Sequence, residues 1–150
     1  MASDLMAGDP PERSKRTSVP MTAQEIEAWV REIRKRDAEL NVRSVDNYIL
    51  GNEPMLWHST HRDVHPEPLG YDELLKRTID YGSAVRRADP DAVISGPSVW
   101  GWPAYFFSAI DGKAGFSAKP DRRKHGDTPL LEWYLQKTSS ARKANRCTRA

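Results

Sequence analysis

Residues 45–57 read Val-Asp-Asn-Tyr-Ile-Leu-Gly-Asn-Glu-Pro-Met-Leu-Trp, and this stretch decides the fold. Its apolar residues predict a buried strand over 45–51 that ends at Gly51 and places Asn52 and Glu53 at its C-terminal tip. Pro54 has no N–H to donate, so the strand's hydrogen-bond ladder ends there. In a β/α barrel, side chains at the C-terminal ends of the strands face the substrate.

The rest of the chain alternates between helical and strand patterns. A capping box formed by Thr22 and Glu25 begins a helix over about 22–38, and apolar residues at helical spacing predict a second helix over 71–87. Residues 92–98 form a short strand, and a third helix, capped by Thr128, runs from there to about 137. This order predicts an α/β fold with a parallel sheet, and both loops that follow strands open on the same face.

The chain of 150 residues is shorter than the ~250 residues of a complete eight-stranded barrel. We therefore expect a partial (β/α)8 TIM barrel consisting of roughly the central βα units, over residues 21–137. The Pro-rich residues 1–20 predict a disordered leader, and residues 138–150, which lack periodicity, predict a disordered basic tail. Residues 54–70 and 111–127 are interpreted as polar loops.

The composition limits the classes of partner. A net charge of +2 is too small to indicate nucleic acid or a membrane surface, although the Arg-rich tail leaves weak nucleic-acid binding as a remote alternative. The sequence has no apolar run long enough to span a bilayer. Residues 1–20 lack the apolar core of a secretory signal, so the chain as written is expected to stay in the cytoplasm.

Glu53 is the candidate catalytic residue. A Glu beside an Asn at a strand end is how many retaining glycosidases present a general acid/base: the Glu protonates the leaving oxygen, and the Asn holds a sugar 2-hydroxyl. The alternative for Glu53 is a surface salt bridge. For Asn52 the alternative is a turn residue that stabilises the strand exit.

Trp57, Trp100 and Trp102 follow the two predicted strands, and their flat indole rings could stack on sugar faces; the alternative is packing in the core. Stacking without chemistry would make the chain a glucan-binding module. His58, His61 and His65 raise the alternative of a metal site, but they lack a Cys pair or a His-Glu-x-x-His helix. We therefore predict no metal and no cofactor.

The motifs together resemble glycoside hydrolase family 44, the retaining endo-β-1,4-glucanases and xyloglucanases. The resemblance spans about 45–137 and lies in residues 46–61, with Asn52-Glu53-Pro54 at their centre, and in residues 65–67, 71–75, 89–90, 95–102 and 131–135. The resemblance implies a β/α barrel with an accompanying β-sandwich, a β-glucan as the partner, and typically secretion. It implies that Glu53 is the acid/base and that Trp57, His58, Trp100 and Trp102 lie on the substrate side.

The departures from the family pattern are equally specific. The family's nucleophile, a second Glu on a late strand, has no counterpart here, and Glu132 lies on a predicted helix. We therefore expect a truncated fragment that is inactive alone, whose open sheet edges permit self-association. We also expect the resemblance to end near Lys137, as it would after a frameshift.

Overall fold

The computed structural model describes residues 18–147, and it describes side chains as far as Ala141. The predicted leader therefore lies almost entirely outside the described residues. Two strands pair in parallel, and the helices that flank them pack together. The elements in chain order are α1 (Ala23–Glu39), β1 (Asn47–Ile49), a 3-10 turn (Pro54–Leu56), α2 (Trp57–Thr60), α3 (Tyr71–Ala88), β2 (Val93–Ser95), a second 3-10 turn (Trp102–Tyr105), α4 (Ala109–Lys113), α5 (Pro120–Lys124) and α6 (Leu130–Cys147).

The first two long helices form where the sequence predicted them. The Thr22 hydroxyl accepts from the Glu25 N–H, and the Glu25 carboxylate accepts from the Thr22 N–H, so the capping box that begins α1 is present. Val30 of α1 packs with Val85 of α3 and with Ala92 in a small core. The Arg34 guanidinium reaches the buried Asp89 carboxylate at 2.7 Å and joins α1 to the end of α3.

The sheet differs from the prediction in length and in burial. Both strands have three residues, and only one face is covered: Tyr48 and Ile94 pack against the core shared by α1 and α3. Alternate residues of a strand point to opposite faces. Ile49 is consequently 67% exposed and Val93 55% exposed, so the prediction of a buried strand over 45–51 was wrong.

Residues 111–127 were predicted as a loop, and they instead contain the end of α4 and all of α5. Two buried carboxylates organise this segment. Asp111 accepts from the Asp121 N–H at 2.8 Å, and Asp121 accepts from the Tyr71 N–H at 3.0 Å, at the first turn of α3. A Cβ on Gly70 would lie 2.7 Å from the Ile110 Cδ1 atom and 2.8 Å from the Asp121 Oδ2 atom, so a larger residue here would force these side chains to move.

The predicted polar loop over 54–70 likewise contains regular structure, namely the first 3-10 turn and α2. The third long helix begins at Leu130, two residues after Thr128, and runs to Cys147. This helix includes residues 138–147, for which the sequence predicted a disordered basic tail. Within residues 18–147 no helix is both long and apolar enough to cross a membrane.

Tyr71 is the centre of the larger core. Its side chain is fully buried, it stacks on the His125 ring with the ring centroids 4.7 Å apart, and it meets Trp133 edge-on. Its hydroxyl donates to the carbonyls of Phe106 and Thr128 at 3.2 and 3.0 Å. Burial raises the pKa of Tyr71, because the phenolate would be poorly solvated.

We expect Tyr71→Phe to lower the free energy of unfolding by about 1–3 kcal/mol, because the part-buried carbonyls of Phe106 and Thr128 lose the hydrogen bond from the Tyr71 hydroxyl. Tyr81→Phe is the matched control, since the Tyr81 hydroxyl donates to the Met21 carbonyl at an exposed position. That control should cost much less. Urea unfolding measures both variants, and equal losses would contradict a central role for Tyr71.

Candidate active site

The ends of the two strands are joined beyond their regular pairing. The Leu50 N–H donates to the Ser95 carbonyl at 3.0 Å, and the Glu53 N–H donates to the Ser98 carbonyl at 2.8 Å. The Ser98 hydroxyl also lies 3.4 Å from the Asn52 side-chain oxygen. The loop that carries Glu53 is therefore held against the loop that leads to Trp100.

Glu53 has a left-handed backbone, with φ 47° and ψ 52°. A non-glycine residue adopts this conformation rarely and at a cost in free energy. Hydrogen bonds on both sides hold it there: its N–H donates to Ser98, and its carbonyl accepts from the Leu56 N–H at 2.9 Å. The half-buried Glu53 side chain makes no capping hydrogen bond to the 3-10 turn that follows. Helix capping therefore does not explain why a Glu stands at this position.

Trp57 holds the loop of Asn52 and Glu53 in place. Its indole N–H donates to the Asn52 carbonyl at 2.9 Å, its ring meets His65 edge-on, and the Arg77 guanidinium lies over it. Gly51 has φ +76°, and a Cβ there would lie 2.9 Å from the Trp57 Cζ2 atom. These contacts give Trp57 a packing role, and its direct contact with a sugar stays a prediction.

Trp100 and Trp102 differ in their surroundings. Trp102 is 72% exposed and meets Phe106 edge-on, with its ring 5.7 Å from Tyr105, so it forms an exposed aromatic strip with these two residues. Trp100 is 41% exposed and lines a separate cavity together with His58. The sequence-predicted residues thus divide into a strip around Trp102 and a cavity that contains His58 and Trp100.

The cavity has a volume of ≈ 220 Å³. Its walls come from the first 3-10 turn, α2, the second 3-10 turn and α4, so it lies between the loops that follow β1 and β2. Sequence reasoning missed Phe107, Lys113 and Phe116, which also line it. Nothing in the sequence distinguishes Phe116, because it stands alone in a polar stretch.

The three loop histidines are dispersed over different contacts. His65 Nε2 lies 2.8 Å from the Glu73 carboxylate, while the exposed His61 contacts the Thr60 hydroxyl. Burial raises the pKa of Glu73, but hydrogen bonds from His65 and Arg77 outweigh it, so that this pKa lies below its usual value. Among residues 18–147 no group of three or more His, Cys, Asp or Glu side chains is arranged to hold a metal ion.

This chain belongs to glycoside hydrolase family 44, whose model matches residues 7–149. The match extends beyond the predicted span of about 45–137 on both sides, so the expectation that the resemblance ends near Lys137 was wrong.

Relatives of known name agree with this assignment. Endoglucanase A of Paenibacillus lautus is 48% identical over 58 residues, which are 39% of this chain and 8% of that protein. Beta-mannanase/endoglucanase A of Caldicellulosiruptor saccharolyticus is 30% identical over 97 residues, which are 65% of this chain and 7% of that protein.

Solved structures with the same local fold include CelM2, a bifunctional glucanase-xylanase from a metagenome library. Its TM-score is 0.69 at 35% identity, with 82% of this chain and 25% of that chain covered. A Paenibacillus polymyxa xyloglucanase of family 44 gives 0.64 at 27% identity, over 80% of this chain and 23% of that one. The present chain thus spans less than a tenth of the curated relatives and about a quarter of these solved chains.

We expect Gly51→Ala to lower the free energy of unfolding by about 2 kcal/mol or more. The alanine would have an unfavourable left-handed backbone, and its Cβ would also clash with the Trp57 ring. Gly115→Ala is the control: Gly115 has φ +83° and nothing within 4 Å, so this variant measures the backbone cost alone, about 1–2 kcal/mol. Equal losses in urea unfolding would mean that Trp57 does not rest on Gly51.

Proposed function

We propose that this chain is the acid/base half of a retaining β-1,4-glucan hydrolase, with Glu53 as the acid/base. The observation that carries the proposal is the position of Glu53: it follows β1 in a left-handed conformation held by the Ser98 carbonyl, beside the loop of Trp100 and Trp102. Membership of family 44 and the printed activities of its relatives support a glucan as the substrate class.

The barrel is part of the proposal. Residues 18–147 supply a parallel strand pair, with helices on one face and Ile49 and Val93 exposed on the other. Inward-pointing residues of a β/α barrel fill its interior, so further strands would cover this face. In isolation, the uncovered face and the open edges would favour self-association of the chain.

The chemistry requires a second carboxyl group. In the first step Glu53 donates its proton to the leaving oxygen while a carboxylate attacks the anomeric carbon, and the glycosidic bond breaks as the covalent glycosyl-enzyme forms. In the second step the Glu53 carboxylate takes a proton from a water molecule as the water oxygen attacks the anomeric carbon, and the bond between the sugar and the nucleophile breaks. Asn52 would hydrogen-bond the 2-hydroxyl throughout.

The loop after β2 supplies no such group, because residues 96–110 contain no Asp or Glu, and the buried Asp111 is occupied by backbone N–H donors. Glu132 lies on α6, where its carboxylate accepts from the Gln136 side chain. The nucleophile would thus come from another strand of the barrel, and we expect these 150 residues alone to release no product from glucan.

The acid/base role predicts a leaving-group-dependent loss of activity. In a chimera in which residues 18–147 replace the matching segment of CelM2, Glu53→Gln should lower kcat/KM on carboxymethyl cellulose by about 10²–10⁴. The Glu53→Gln chimera should still form the glycosyl-enzyme from an aryl cellobioside whose leaving group departs without protonation. A burst of released phenol measures this step.

The control is Glu132→Gln, which makes the same chemical change on α6 and should leave both reactions unchanged. Equal activity of Glu53→Gln and the parent chimera on carboxymethyl cellulose would overturn the proposed role. Product release by the 150-residue chain alone, abolished by Glu53→Gln, would instead show that the chain holds its own nucleophile.

A non-catalytic glucan-binding module is the second candidate, and the exposure of the Trp102 strip favours it. In either case we expect Trp102→Ala to weaken binding of the chain to soluble xyloglucan by about tenfold, because one stacking ring is lost. Trp29→Ala is the control, since Trp29 is 57% exposed on α1. Affinity electrophoresis measures both variants. Equal retardation of the two would exclude the strip as a glucan-binding surface.

Activity of the chimera distinguishes the two candidate functions. Both predict that Glu53→Ala leaves glucan binding intact, but only the binding module predicts that the CelM2 chimera fails to hydrolyse glucan. A chimera that hydrolyses glucan through Glu53 excludes a purely binding role.

A further inference from the structure

Ser98 contacts both candidate residues at the end of β1 through two of its own atoms. Its carbonyl oxygen accepts from the Glu53 N–H at 2.8 Å, and its hydroxyl lies 3.4 Å from the Asn52 Oδ1 atom. Ser98 is outside the paired strands, in the segment that leads from β2 to Trp100. One residue beyond β2 therefore meets both the main chain and a side chain of the segment beyond β1.

The peptide group between Asn52 and Glu53 is held at both of its polar atoms. Its carbonyl oxygen accepts from the Trp57 indole N–H at 2.9 Å, and its N–H is the group that donates to Ser98. Because a peptide group is planar, it cannot turn without breaking one of these two hydrogen bonds. The backbone at Asn52 is thus fixed on this side, and its side chain is left with its own two torsion angles.

The Ser98 hydroxyl determines which end of the Asn52 amide faces outward. The oxygen of an Asn side chain only accepts and its NH2 group only donates, whereas a Ser hydroxyl does both. With Oδ1 facing Ser98, the hydroxyl donates and the NH2 group points away from it. Asn52 is exposed, and within residues 18–147 its NH2 group has no hydrogen-bond partner, so this donor is available to a ligand.

We propose that Ser98 is a positioning residue for the glycosidase reaction: its hydroxyl orients the Asn52 amide so that the NH2 group, and not the oxygen, faces the 2-hydroxyl of the reacting sugar. The inference rests on the proposed function, from which it takes the contact between Asn52 and that hydroxyl. Ser98 acts only through Asn52. Hydrogen bonds to the 2-hydroxyl strengthen in the transition state, so the orientation of the amide affects kcat more than KM.

The test compares an aryl cellobioside with its 2-deoxy counterpart, which lacks the 2-hydroxyl of the reacting ring, as substrates of the CelM2 chimera. Ser98→Ala removes the hydroxyl and keeps the carbonyl that holds Glu53. We expect this variant to lower kcat on the first substrate by about three- to tenfold with little change in KM, and to leave the 2-deoxy substrate unaffected. Ser98→Thr retains a hydroxyl and should restore the parent rate.

Ser95→Ala is the matched control. The Ser95 hydroxyl lies 3.4 Å from the Asn47 Oδ1 atom within the paired strands, so this variant removes a contact of the same kind and length outside the site. It should change neither reaction. If Ser98→Ala slows both substrates equally, or Ser95→Ala has the same effect as Ser98→Ala, the positioning role is overturned.

The proposed function is decided separately, by Glu53→Gln in the same chimera. A loss of activity in Glu53→Gln, together with equal effects of Ser98→Ala on the two substrates, would overturn the positioning role alone. A parent chimera that does not hydrolyse glucan would overturn both proposals.

Amide hydrogen exchange in the 150-residue chain tests the same role without activity. Ser98→Ala should leave the exchange rate of the Glu53 amide unchanged, because the Ser98 carbonyl remains its acceptor. Faster exchange of this amide in Ser98→Ala would mean that the hydroxyl stabilises the whole loop, and would overturn a role confined to the Asn52 side chain.

Discussion

The hydrogen bond from the Glu53 N–H to the Ser98 carbonyl is the constraint on which the candidate site depends. Regular pairing between β1 and β2 ends at Ile49 and Ser95. The two segments that follow the strands nevertheless stay together through hydrogen bonds from the N–H groups of Leu50 and Glu53. Because the strands are parallel, their C-terminal ends lie at the same edge, and the loops that leave them can share one site. The left-handed backbone of Glu53 is compatible with the fold because the residues around it are hydrogen-bonded on both sides.

A second set of buried interactions holds the far wall of the site. Asp111 and Asp121 accept backbone N–H donors and join α4 and α5 to the start of α3. The Tyr71 hydroxyl ties the same region to Phe106, next to the aromatic strip. Carboxylates buried in this way are favourable only when their acceptor sites are filled, and here the backbone of a short segment fills them. The position of Phe116 and Lys113 thus follows from polar contacts distant from β1.

The sequence predicts best the elements whose signals are local. The helices α1 and α3 were located to within a residue at each end, because capping and apolar spacing are encoded in consecutive residues. The position of Glu53 after a strand was also readable, since Gly51 and Pro54 mark the strand's end. Family membership was readable from the same motifs.

The remaining features depend on contacts between distant residues. The carboxylates of Asp111 and Asp121 look like loop residues until the backbone donors they meet are known. The exposure of Ile49 depends on how many strands surround it, which a single strand's sequence does not encode. Residues 138–147 lack an apolar face, so periodicity gave no indication of the helix that local propensity extends to Cys147. The left-handed backbone of Glu53 has no signature in a residue type that seldom adopts it.

The most direct measurement is native-state amide hydrogen exchange at Glu53 in the 150-residue chain, compared with the amide of Leu50. Both N–H groups donate to the loop and strand of β2, to Ser98 and Ser95 respectively. We expect the Glu53 amide to be protected to a similar degree as that of Leu50, because the two bonds open together. An unprotected Glu53 amide beside a protected Leu50 amide would contradict this expectation, since the candidate carboxyl would then lie on a loop that is not held against its partner.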